Sequence, residues 1–591
     1  MFMTSEAAAA PRVSIESLDM AGWGRQNAQD VPPGSGSVGR GAALATASAA
    51  FIAVLSVYLL LRPPLFNYDG YLYRLQALGP VEGDNFNPHH LLWYPVQKTI
   101  AAVTSTVGSP SPEAFQLFGI LISSFSLALF CLLLVRLTRR RALPLVITIF
   151  IAFSPRIWML TSQNQCYPLV DLAVVGFLWT VADWRAPSRW RWAASGMALG
   201  AAVLLQQAMA LAVPAIALGL AVAGAGPGKD RWKRAAAWAG GTTLGVASAY
   251  ALVAWAAGIK PAGFWDWTLT YLHAEHGIQV HWPQSAIKSV MGMVGTLLES
   301  SWIREQFNSQ ENSVVIWRIY GGLLVAGCVV AAALLSRRRV RERLICLLRS
   351  DASFTAALML ALAWGVFIFL WEPTGHFWSV NLFPLAFLAS WWVRGIGKRT
   401  AWWLAGVLLV VSGWNLYADH RQDQAFSVNF PPPLLEQIRA ELGPQDVFIV
   451  AGRDWYADMD YGLLLACLDD WPRDPARALL DEYVMPHSQE PWQQRLDLDI
   501  RKVFAAGGRV YVADHVFWRD SYQDLEQTAD PFSEYAHMEY AGLNGEKLPG
   551  EIQSFFRRYK LGASSFKIGA DPFWELKPND AQRGSPALPP P

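Results

Sequence analysis

The chain has 591 residues, room for several domains of about 100–200 residues or for one large membrane body. Charged residues make up 16%, against about 25% in soluble proteins, while hydrophobic residues reach 53% and tryptophan alone numbers 28. That composition rules against a wholly soluble, disordered or fibrous protein. The net charge of +1 conceals an asymmetry, because residues 1–418 carry 31 Lys and Arg against 19 Asp and Glu, and residues 419–591 carry 17 against 28. A basic membrane part followed by an acidic soluble part fits this division, and nucleic-acid binding, which needs a concentrated basic face, does not. The five cysteines, at 131, 166, 328, 346 and 467, lack CxxC spacing, so neither a disulfide framework nor a zinc site is indicated.

In chain order, residues 1–40 are rich in Ala, Gly, Ser and Pro without apolar periodicity, and read as a disordered cytoplasmic tail rather than a signal peptide. Apolar runs of the length that crosses a bilayer, about 20 residues, then centre on 42–61, 113–135, 142–160, 168–183, 192–209, 211–226, 235–258, 313–335, 352–371, 379–394 and 400–418. Eleven spans are expected. Basic clusters at 136–141 (RLTRRR), 184–191, 228–234, 336–344 and 394–399 fall on one side if each span crosses once, and the positive-inside rule makes that side cytoplasmic. The loops 62–112, 156–167, 259–312 and 372–378 are then outside, with the acidic C-terminal part. Residues 91–107, apolar but short, read as a helix lying in the interface. Beyond a linker at 419–430, the patterns VFIVAG and RVYVAD with helical stretches between them predict a small α/β domain over 431–578, ending in a flexible tail at 579–591. The expected architecture is a polytopic α-helical membrane domain, 41–418, with that outer C-terminal α/β domain.

The polar chemistry concentrates in the first outer loop, RPPLFNYDGYLYRLQALGPVEGDNFNPHHLLWYP. Asp69 lies among Tyr68, Tyr71 and Tyr73, followed by Arg74, Glu82, Asp84, His89 and His90. Aromatic rings can stack on a sugar, a carboxylate can take a hydroxyl proton, and a guanidinium can hold a phosphate. The plainer alternative is a solvated loop with an interfacial tyrosine belt. Elsewhere on the outer face, Arg156 suits either a phosphate or snorkelling to lipid headgroups, and Gln206 with Gln207 falls where two spans turn, where simple turn polarity is expected. His273, His276 and His281 in the long loop 259–312 lack a completing carboxylate or cysteine, so a lid is favoured there over a metal site.

NYDGY followed by NPHHLLWYP, directly after the first span, resembles the first outer loop of the integral-membrane C-type (GT-C) glycosyltransferases, in their mannosyltransferase-like branch. The resemblance covers 42–418 in architecture and about 30 residues in motif. It implies a multi-pass inner-membrane enzyme of the cell envelope that moves a sugar from a polyprenyl-phosphate donor to a glycan, lipid or protein acceptor outside. It places Asp69 at the catalytic position, with Glu82 or Asp84 as second-acid candidates, and it makes His376, in the tip 372–378, a donor-phosphate candidate beside Arg74 and Arg156. Tyr68, Tyr71, His89 and His90 would line the sugar and acceptor cavity. No DxD pair stands in the loop, so no cofactor is expected and a divalent metal is not favoured. The alternative from another class is a transporter or flippase for a lipid-linked or polar substrate, although related halves are not visible.

Overall fold

The computed structural model describes residues 38–62, 73, 77, 88–106, 112–182, 189–223, 228–269, 284–298, 310–370, 375–393, 396–429, 443, 446–450, 478–479, 492–513, 551, 554–568 and 571–578. Helix α1 is Arg40–Leu60, and after the 3-10 turn Pro88–His90 comes α2, Trp93–Ser105. Then follow α3 (Pro112–Thr138), α4 (Ala142–Ala152), α5 (Pro155–Ser162), α6 (Tyr167–Val181) and α7 (Arg189–Leu205). A 3-10 segment, Gln207–Leu211, leads to α8 (Ala212–Val222) and α9 (Gly228–Ala256). Next are α10 (Phe264–Thr268), α11 (Gln284–Leu297), α12 (Gln310–Ser336), α13 (Arg338–Ser350), α14 (Ala352–Leu370), α15 (Gly375–Val393) and α16 (Lys398–Asn429).

Five described helices are long and apolar enough to cross a membrane: Arg40–Leu60, Glu113–Thr138, Arg318–Ser336, Ala352–Phe369 and Lys398–Ala418. The expected span 142–160 is instead the pair α4–α5, bent by 63°. Proline explains the bend. Pro155 has no amide hydrogen to continue the ladder, and Ser154 before it takes the extended conformation that a following proline favours (φ −72°, ψ 138°). Other expected spans form apolar helices below the roughly 20-residue length, among them Tyr167–Val181 and Phe377–Val393. Polar residues and prolines shorten them: Pro168 opens α6, and Gln206, at φ −148° and ψ 99°, ends α7.

The core lies between α3, α6, α14 and α15. Phe130 meets Phe383 edge-on at 5.1 Å, and Trp364 stacks on Phe367 at 4.8 Å while donating from Nε1 to the Phe377 carbonyl at 2.6 Å. In a bundle surrounded by lipid such contacts stabilise through close van der Waals packing rather than through removal from water. Small residues set the closest approaches: a Cβ on Gly119 would come 2.8 Å from the Thr161 carbonyl oxygen, so only glycine lets α3 and α5 meet there. Asp351 caps α14, its Oδ1 accepting from the amides of Ser353 and Phe354 at 3.0 and 3.1 Å. The periphery is apolar and exposed, with Val325, Val329 and Val330 on α12 and Trp402, Trp403 and Val410 on α16. That is the surface expected where lipid rather than water is the solvent.

The C-terminal residues form a sheet of order β2-β1-β3-β5-β4, in which β1 is Val447–Val450, β2 Ala478–Leu479, β3 Val510–Ala513, β4 Lys560–Ile568 and β5 Asp571–Lys577. Strand β1 pairs parallel with β2 and β3, and β5 pairs antiparallel with β3 and β4. Helix α17, Trp492–Ala505, precedes β3 and buries Leu496, Ile500 and Val503. Its i, i+4, i+7 spacing puts those three on one face.

Candidate active site

Four separated stretches converge around Pro88–Trp93. Tyr250 of α9 donates from its hydroxyl to the Pro88 carbonyl at 2.6 Å, and the Leu92 amide donates to the Leu204 carbonyl at 3.0 Å. His90 Nδ1 lies 2.7 Å from the Leu205 carbonyl oxygen. A carbonyl only accepts, so Nδ1 carries the hydrogen in this contact. Cys166, at the head of α6, sets its sulfur 3.3 Å from the same Nδ1. The His89 and His90 rings are 4.5 Å apart, and Tyr73 contacts His90 and Trp93 edge-on at 6.3 and 6.1 Å.

The outer junction of α5 and α6 is fastened to its neighbours. Gln116 Nε2 donates to the Ser162 carbonyl at 2.9 Å and Thr161 Oγ1 to Ser123 Oγ at 2.9 Å, both on α3. Tyr167 meets Phe377 of α15 at 6.2 Å, so the start of α15 joins the same cluster. Gln207 Nε2 donates to the Thr268 carbonyl at 2.8 Å, drawing in α10. The end of the first outer loop, the 156–167 junction and the start of α15 thus come near one another, while most of that loop and residues 371–374 lie outside the described residues.

Of the residues expected to act, His89 is buried and His90 partly buried at this convergence. Arg156 is half-buried on α5 with Nη1 at 3.6 Å from Met159 Sδ. Asp69, Tyr68, Tyr71, Arg74, Glu82 and Asp84 lie outside the described residues, as do His273, His276 and His281; for His376 only the backbone, in the first turn of α15, is described. Among the described residues no three His, Cys, Asp or Glu side chains group as metal ligands. Gln206 departs from expectation. Rather than decorating a solvated turn it is fully buried, and neither side-chain amide atom has a partner among the described residues, because α7 ends inside the bundle instead of at its surface.

Asp171 was not anticipated. It is 3% exposed, four residues after Tyr167 on the same face of α6, and its Oδ1 has no hydrogen-bond partner among the described residues. An ionisable side chain inside a membrane domain marks a functional position by default. The signal was an acid set near the start of the apolar run 168–183, well away from its charged end at Asp183. Gln97 of α2, 1% exposed, likewise leaves both amide atoms without partners among the described residues.

No protein-family model matches the chain, and no curated protein matches it significantly. Among solved structures it is similar to the archaeal oligosaccharyltransferase AglB from Archaeoglobus fulgidus in complex with an inhibitory peptide and a dolichol-phosphate: 12% identity and a TM-score of 0.41 over 91% of this chain and 75% of that one. It is also similar to the oligosaccharyltransferase of Archaeoglobus fulgidus in complex with zinc and sulfate, at 12% identity and a TM-score of 0.43 over 88% and 72%. At such identities and TM-scores the likeness gives no residue of this chain a role.

Proposed function

We propose that the protein is a membrane glycosyltransferase of the GT-C type, in the mannosyltransferase-like branch, which moves a sugar from a polyprenyl-phosphate donor to an acceptor hydroxyl on the outer face of the membrane. The observation that carries the reading is the convergence of Pro88–Trp93 with the α5–α6 junction, the end of α7 and the start of α15, which gathers polar side chains at one end of an apolar helical bundle. Asp69 takes the hydroxyl proton as the acceptor oxygen forms its bond to the anomeric carbon. The carbon–oxygen bond to phosphate breaks on the opposite face, polyprenyl phosphate leaves with the electron pair, and the configuration inverts. Arg74, Arg156 and His376 steady the departing phosphate, Tyr68, Tyr71, His89 and His90 shape the sugar and acceptor cavity, and no metal is required. The acidic C-terminal domain meets the acceptor or a partner outside, and the N-terminus is cytoplasmic.

Asp69→Asn should lower transfer by about 10²- to 10⁴-fold, the usual worth of a general base, with donor binding changed little, whereas Glu82→Gln and Asp84→Asn should cost far less. Transfer and donor binding measured separately on the purified variants decide this, and near-normal transfer by Asp69→Asn defeats the mechanism. The second reading, a transporter or flippase, draws on buried Asp171 and the bent pair α4–α5, since intramembrane carboxylates and broken helices are transporter features. Vesicles in which the protein translocates the donor without transferring its sugar would favour it.

A further inference from the structure

Helices α7 and α9 run parallel, side by side. A Cβ on Gly196 would stand 2.7 Å from Thr242 Oγ1, and one on Gly200 would stand 3.6 Å from Val246 Cγ2, so both pairs share one offset along the two helices. Trp238 Nε1 ties the same seam by donating to Ser195 Oγ at 3.0 Å. Beside the seam lies a cavity of ≈ 820 Å³ with Trp192, Arg234, Trp238, Thr242 and Gly245 in its lining and Leu92 and Leu204 at the end nearest the candidate active site. Gly241 and Gly245 are exposed, and a Cβ on either would meet nothing within 4 Å.

We infer that this groove holds one acyl chain of an anionic glycerophospholipid whose headgroup is bound at Arg234. Two observations select that occupant. The wall is apolar apart from Arg234, Thr242 and the tryptophan rims, as a hydrocarbon chain in a bilayer requires. Arg234 is exposed at one end, and from there to Val246 the helix rises about 18 Å, at ~1.5 Å per residue. That length is close to half of a ~30 Å hydrocarbon core, the depth of a single leaflet. A long polyprenyl chain would overrun it, and its phosphate belongs at the opposite end. In the orientation proposed above, the lipid comes from the cytoplasmic leaflet, and its binding does not depend on the glycosyltransferase reading.

Delipidated full-length protein, titrated with phosphatidylglycerol, phosphatidylethanolamine or polyprenyl phosphate and read by native mass spectrometry, tests the assignment. One phosphatidylglycerol should bind, preferred over phosphatidylethanolamine by about fivefold, as one basic residue facing an anionic headgroup provides. Arg234→Gln should erase the preference while leaving binding, and Gly245→Leu, which fills open space, should abolish binding. Gly245→Ala, with thermal unfolding followed in parallel, separates a filled groove from a damaged fold: it should bind nearly as wild type. A photoactivatable phosphatidylglycerol should crosslink to peptides of 189–205 and 228–256. Undiminished binding by a folded Gly245→Leu, or displacement of phosphatidylglycerol by polyprenyl phosphate, overturns the inference.

Discussion

Asp171 poses the sharpest question at the scale of single residues. A carboxyl group held in an apolar core loses its hydration, and an unpaired buried polar group destabilises a fold by about 1–3 kcal/mol. Its retention on the face that carries Tyr167 therefore points to work done on a ligand. Asp171→Asn should lower transfer by at least about 10²-fold, on the scale of lost acid–base or electrostatic assistance, and Asp171→Leu should do the same while leaving the thermal midpoint unchanged or higher. Transfer assays paired with thermal unfolding check this, and a lower midpoint with normal transfer in the folded fraction would make Asp171 structural. Individual residues were unevenly legible. The histidine pair stands out in the chain, but the partner of His90 Nδ1, the Leu205 carbonyl, is 115 residues away, and no local pattern predicts such a contact. Gln206 looked like turn polarity because a polar pair between two apolar runs is the usual mark of a turn, whereas its burial depends on where α7 ends within the bundle.

At the scale of elements, the C-terminal sheet depends on a charged clasp between β1 and β3. Asp446 Oδ1 accepts from the Arg509 amide at 2.8 Å, and its Oδ2 accepts from the Gly443 amide at 2.8 Å and from Arg509 Nε and Nη2 at 2.9 and 2.6 Å. Burial on its own would raise the Asp446 carboxyl, but the hydrogen bonds from Arg509 and Gly443 outweigh it and hold the group below the ordinary carboxylate range. A depressed folded-state pKa stabilises above the unfolded value, about 3.9, and the contribution is lost as pH falls through the folded value. Between neutral pH and pH 5 the clasp should be intact. Acid should then loosen the sheet in wild type, and Asp446→Asn should remove this pH dependence while costing about 1–3 kcal/mol at neutral pH; hydrogen exchange of the β1 and β3 amides against pH measures both. The strands themselves were legible, because VFIV and VYVA are short apolar β-branched and aromatic runs. The breaks in the helices were less so: hydropathy averages over Pro155 and Gln206, while the backbone stops at them.

For the whole molecule, orientation is the property with the widest consequences. Arg140 donates to the Ile396 carbonyl and Arg141 Nε to Thr46 Oγ1, so the cluster RLTRRR, the residues at 396–399 and the first turns of α1 meet at one end of the bundle. That is the arrangement the basic loops call for if this end is cytoplasmic. With the native cysteines replaced, a cysteine at Ser336 should react with an impermeant thiol reagent only after the membrane is opened, and one at Ser427 should react in intact cells; the reverse pattern would invert the orientation. The bend between α4 and α5 adds a consequence of its own. If α4 stands along the membrane normal, its eleven residues reach about 16 Å at ~1.5 Å each, and the eight of α5, bent from it by 63°, add only about 5 Å. Their sum falls roughly 8 Å short of a ~30 Å hydrocarbon core. In that geometry a short hydrophobic length is met by local thinning of the bilayer, so water and headgroups should dip toward the bundle beside α5.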